Sequence, residues 1–86
     1  MRIAGWLITG KTVSTKHGET MEFITFEDES SLLETVFFPK VYKKFCHLLR
    51  SNRPYLLEGM VEEEYGAVTL KVSNLQPLIW HRGTRQ

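Results

Sequence analysis

Cysteine is almost absent from this sequence. Cys46 is the only one, so no disulfide can close within the chain, which fits a reducing, cytosolic setting. No Cys or His spacing matches a zinc site. No apolar run approaches the roughly 18 residues that a membrane helix needs. Met1-Arg2-Ile3-Ala4 lacks the apolar core and cleavage site of a signal peptide, and a methionine directly before the first strand suggests a designed boundary, without deciding between an excised domain and a free-standing small protein. There is no Walker motif and no nucleophile elbow. Internal repeats, low-complexity segments and linkers are missing as well. A strong charge of one sign is also lacking: the net charge is +1, whereas strong non-specific nucleic-acid binders usually cluster Lys and Arg. Glu27, Asp28, Glu29, Glu58 and Glu62-Glu63-Glu64 dilute the cations. Any strand binding is therefore expected to be weak, or to rest on stacking more than on charge.

These absences weigh against an enzyme. Cys46 and His47 are neighbours in a predicted helix, about 100° apart, and do not readily share one site. Cys46 sits near the apolar stripe and reads as a small buried hydrophobe. The carboxylates at 27–29 and 62–64 are consecutive strand residues, which point to opposite faces. They read as solvated acidic edges. The expectation is no catalytic residue, no metal, no cofactor and no small-molecule substrate.

What is present is a strand pattern. With 86 residues the chain makes one domain; a domain this small buries only about 60% of the surface its unfolded chain exposes. Residues 2–15 read as a long first strand, with Gly5 and Gly10 marking a bulge or bend. Lys16-His17-Gly18-Glu19 is a tight turn in which Gly18 takes φ > 0. From Met21 to Asp28 the residues alternate: Met21, Phe23, Thr25 and Glu27 one way, Ile24 and Phe26 the other. Asp28 to Ser31 turns, and Leu32 to Phe38 is a third strand. Pro39 opens a helix, as suits a residue without an N–H. Val41, Phe45, Leu48 and Leu49 form its apolar stripe, with Arg50 in its last turn and Asn52 as a left-handed cap. Residues 55–64 are a fourth strand, with Tyr55, Leu57, Gly59 and Val61 on one face. Tyr65-Gly66-Ala67 is a hairpin connection, and Val68, Leu70 and Val72 alternate in a fifth strand. Residues 80–86 form a flexible basic tail, leaving residues 1–79 as the domain.

Three strands, a helix and two strands is the order of an all-β, five-stranded OB-fold Greek-key barrel with one helix between strands three and four. An SH3-like barrel lacks that helix, and a ferredoxin-like fold needs two. In the OB fold, ligands lie on strands two and three, flanked by the loops between strands 1–2 and 4–5.

Three segments carry a closer likeness. Gly18-Glu19-Thr20-Met21-Glu22-Phe23-Ile24-Thr25-Phe26-Glu27-Asp28 resembles the Gly-x-x-Met-x-Phe-x-x-x-Glu-Asp signature of the OB domain in the alpha subunit of bacterial DNA polymerase III. Glu34-Thr35-Val36-Phe37-Phe38-Pro39-Lys40-Val41-Tyr42 is similar to that family's Glu-Val-x-x-Phe-Pro-x-x-Tyr, and Arg53-Pro54-Tyr55-Leu56-Leu57-Glu58-Gly59-Met60-Val61-Glu62 to its Arg-Pro-x-Leu-x-x-Gly-x-Val-Glu. The likeness covers roughly residues 2–78. A more distant one is to the anticodon-binding OB domain of class II aminoacyl-tRNA synthetases. The sequence departs at Ser31, where the polymerase family usually has Gly, and at Glu58 and Met60, where relatives often carry Arg. Losing those cations lowers the expected affinity for a phosphate backbone. The resemblance implies a cytoplasmic, bacterial fragment of a DNA-directed DNA polymerase, a nucleotidyltransferase whose active site lies elsewhere in the parent chain. The expected partners are single-stranded DNA, the rest of the alpha chain and other replisome subunits, with no membrane.

Phe23 is the sharpest binding candidate. If Ile24 and Phe26 fill the barrel, it faces the ligand side and stacks on a base, worth about 1–3 kcal/mol; if the helix or a loop covers it, it is core. Lys11, Lys16 and His17 lie on or near the first loop, as phosphate contacts or as ordinary surface groups. Tyr65 either supplies a second stacking aromatic or folds back on the barrel. Lys71 extends the basic track or is surface filler. Thr25 and Glu34 lie beside Phe23; Glu34 either accepts a hydrogen bond from a base amino group or is a solvated residue that repels phosphate. Trp6 and Phe38 belong to the rim or the core. Two functions fit: a single-stranded DNA-binding module that holds the template strand during replication, and a protein-docking module within the polymerase assembly.

Overall fold

The computed structural model describes residues 1–29, 31–50, 53–64 and 66–78. Five strands form β1 (Arg2–Ser14), β2 (Thr20–Asp28), β3 (Ser31–Phe37), β4 (Pro54–Glu64) and β5 (Ala67–Pro77), with helix α1 (Pro39–Phe45) between β3 and β4. They close in the order β1-β2-β3-β5-β4.

Closure depends on β1 serving two neighbours. Its first half, Arg2 to Trp6, pairs with β4; Trp6 to Ser14 pairs with β2. The change of partner needs a bend, and the register slips between Leu7 and Thr9, leaving Ile8 as the extra residue. The bulge therefore falls between the two glycines that suggested it. The closing seam is short and parallel: Thr35 pairs with Leu70 and Val36 with Lys71. The first turn forms around Thr15. Its Oγ1 accepts from the N–H groups of His17 and Glu19, at 3.3 and 3.2 Å, and Gly18 has φ 78°.

Alternation decides what fills the barrel. Ile24, Phe26, Phe37, Tyr55, Leu57, Leu70, Val72 and Leu75 are all buried. Fully burying an aliphatic or aromatic side chain of this size contributes about 1.5–3 kcal/mol. Tyr55 meets Phe26 edge to face, with ring centroids 6.0 Å apart. Its hydroxyl donates to the Leu48 carbonyl and accepts from the Arg50 N–H at 2.7 Å, so the core is tied to the segment that follows α1. Thr35, the one buried polar side chain among the described residues, donates to the Ile24 carbonyl at 2.8 Å.

Three expectations change. The α-helix stops at Phe45 and continues only as a 3₁₀ turn, Cys46–Leu48, so Arg50 lies outside it. Leu48 and Leu49 still pack against the core. Cys46 is exposed, because it lies about 100° round the helix from Phe45 and off the apolar stripe. Val61 and Val68 keep the parity assigned to them yet are 46% and 54% exposed. The β4–β5 pairing runs on to Glu64 and Ala67, whereas β3 reaches β5 only at Leu70 and Lys71. Past that row the hairpin has no layer opposite it. Asn52 and the tail, Trp80 to Gln86, lie outside the described residues.

Candidate nucleic-acid interface

Because Ile24 and Phe26 are buried, the other face of β2 points outward, and Phe23 is 46% exposed there. The registers place it in a row that crosses the whole barrel. Lys11 pairs with Phe23, Phe23 with Val36, Val36 with Lys71, and Lys71 with Met60. Paired residues in a ladder share a face, so an aromatic ring and an apolar neighbour lie between two lysines. A groove of about 340 Å³ near Trp6 and a groove of about 310 Å³ on this face are both open to solvent. The second matters here: Met21, Phe23, Val36, Phe38, Ala67 and Thr69 line it together with one carboxylate, Glu62. The Lys71 ammonium stands over the ring of Phe38, a groove residue, 5.0 Å from its centroid, a cation–π geometry.

The next row is polar. Thr9, Thr25 and Glu34 are aligned across β1, β2 and β3, and the Thr25 hydroxyl donates to Glu34 Oε1 at 3.1 Å. That bond orients the carboxylate and leaves its other oxygen free to accept from a base amino group. Glu22, on the opposite face of β2, is half-buried, and desolvation raises its pKa above the usual carboxylate value.

The sequence candidates thus fall into groups. Lys11, Phe23 and Lys71 share one row, and Thr25 and Glu34 the row beside it. Lys16 and His17 are exposed on the β1–β2 turn. Tyr65 lies outside the described residues. Trp6 is half-exposed but at the other end of β1, paired with Glu27 and Pro54. Met21, Val36 and Met60 were missed as site residues. Strand alternation already put Met21 on the face of Phe23; the parallel seam that brings Val36 to Lys71 has no local signal.

Among the described residues no group of three or more His, Cys, Asp or Glu side chains gathers to hold a metal ion, and no helix is long and apolar enough to cross a membrane.

The architecture is a small closed β-barrel with an aromatic and cationic outer face. The family described as an OB-fold nucleic acid binding domain matches residues 1–78, and this chain belongs to it. Among relatives, it is 28% identical over 78 residues to an error-prone DNA polymerase of Rhodopirellula baltica, covering 91% of this chain and 7% of that protein. It is 31% identical over 68 residues to the DNA polymerase III subunit alpha of Staphylococcus aureus, covering 79% of this chain and 6% of that one. The chain therefore spans only a small part of the polymerases it matches. In structure it resembles the SSB domain of a Synechococcus sp. protein, with a TM-score of 0.78, 12% identity, and coverage of 88% and 91% of the two chains. That likeness shows the fold.

Proposed function

We propose that this domain binds single-stranded DNA along its outer face, as a module of a DNA polymerase III alpha chain that holds the template strand. One observation carries the reading: the continuous row Lys11, Phe23, Val36, Lys71 and Met60, in which an exposed ring is flanked by cations. A base stacks on Phe23 and on the groove wall it shares with Phe38. Lys11 and Lys71 reach the phosphates on either side, and Lys16 and His17 extend the contact on the first turn. Glu34, oriented by Thr25, accepts from a base amino group. Every base has a π-face, so stacking gives little sequence preference. The relatives' names support the polymerase context.

The test is fluorescence anisotropy of a labelled oligothymidine titrated with the wild type and with Phe23→Ala. Loss of about 1–3 kcal/mol of binding free energy in the variant is expected. Unchanged affinity would remove the stacking mechanism.

A second reading, protein docking, has its own observation. Pro54, Trp6, Glu27 and Leu32 form another outward row, with Trp6 50% and Leu32 66% exposed. Trp6→Ala separates the two: it leaves oligothymidine binding intact and weakens capture by the remainder of a polymerase alpha chain.

A further inference from the structure

Near-neutral net charge hides a segregation. No Asp or Glu occurs between Glu34 and Glu58, while Lys40, Lys43, Lys44, Arg50 and Arg53 all fall in that stretch. Three of these cations are on α1, at i, i+3 and i+4, and so on one side of the helix. All three are exposed.

Their side of the helix does not face open solvent alone. A groove of about 450 Å³ runs between α1 and the β1–β2 turn, with Lys40, Tyr42 and Lys43 on one wall and Gly18, Glu19 and Thr20 on the other. Glu19 is the one carboxylate lining it; Lys16 and His17 precede it on the same turn. Lys44 stands one position round, its ammonium 5.4 Å from the Phe45 ring centroid.

This groove adjoins the central one. Met21 and Phe38 line the central groove; their chain neighbours Thr20 and Pro39 line this one. A strand that leaves the Phe23 row past Phe38 therefore enters a channel whose helix wall is cationic. We propose that the Lys40, Lys43 and Lys44 side of α1 is a second phosphate track, which takes the backbone of a single strand beyond the central face. This rests on the reading of that face as a single-strand site. Its three lysines contact the backbone only and are blind to sequence.

A long strand should feel the track and a short one should not. OB folds cover about 4–16 nucleotides, so the probes are labelled oligothymidines of about four and about sixteen nucleotides. The variants are wild type, the triple variant Lys40→Gln/Lys43→Gln/Lys44→Gln, the corresponding Lys→Arg triple, and Phe23→Ala, each titrated at several salt concentrations. Each phosphate contact to a single strand contributes about −0.7 to the log–log salt slope. The Gln triple should flatten the long-probe slope by about 2 and leave the short-probe affinity unchanged, which also reports an intact barrel. The Arg triple should restore the slope. An unchanged long-probe slope in the Gln triple would overturn the track and leave the central site standing. Equal loss on both probes would also overturn it, by placing the lysines inside the central site. Failure of the wild type to bind either probe would overturn the track together with the central site.

Discussion

Glu22 shows how one side chain links the barrel to pH. Its carboxyl is half-buried against Gly10 of β1, and desolvation raises its pKa above the ordinary 4.5. The phenol of Tyr42 is raised too, first by burial and then by the negative charge of Glu22 and of Cys46. A carboxyl with a raised folded pKa holds its proton longer in the folded state than in the unfolded one. Its contribution is therefore most favourable below the ordinary carboxylate range and declines as pH rises through the raised value. Glu22→Gln should raise the melting temperature at about pH 7, and the gain should vanish toward about pH 4, where the wild-type group is also neutral. Thermal unfolding of both proteins at the two values tests this. Tyr55 is the structural counterpart: its buried hydroxyl pairs with Leu48 and Arg50. Tyr55→Phe keeps the ring against Phe26 but strands backbone groups, at a cost of about 1–3 kcal/mol, readable in a urea melt.

Elements were legible in the sequence where a local rule governed them. Alternation fixed β2 because one face is buried, and it put Phe23 on the outside for the same reason. Pro39 and Gly18 marked a helix start and a turn through their backbone preferences alone. Errors arose where a partner strand or helix decides. The end of α1 is set by the Cys46–Leu48 turn that leads the chain toward β4, which no local pattern announced. Ser73 shows the same limit. It is skipped between the pairs Glu58–Asn74 and Gly59–Val72, and its hydroxyl instead donates to the Glu58 carbonyl at 3.2 Å. The slip shifts the buried positions of β5 from Val72 to Leu75, against simple alternation. Gly59 stands at this point, and a Cβ there would run into the Lys71 carbonyl. The clash is with backbone, so no rotamer change relieves it. Gly59→Ala should destabilise the fold by several kcal/mol, in the exceptional range for one substitution; a denaturant midpoint close to that of the wild type would show that the two strands can part without loss.

Across the whole molecule, the site is a matter of which charges share a face rather than of their sum. The acid-free stretch from Thr35 to Leu57 was visible in the sequence, but a net charge of +1 says nothing of segregation, and only the closed barrel shows which cations meet. Lys11 and Lys71 are joined by a row that spans all five strands, so no short window of sequence contains it. That row ends on β4 at Met60, which is 68% exposed. On the proposed reading, an arginine at this position would add one cation to the row. Met60→Arg sits on the surface, beside Lys71 in the ladder, and should leave the melting temperature within the small range of ordinary surface substitutions. It should tighten oligothymidine binding and steepen the log–log salt slope by about 0.7, the contribution of one further phosphate contact. An unchanged slope would mean that the strand does not reach β4, and would confine the site to Lys11, Phe23, Val36 and Lys71.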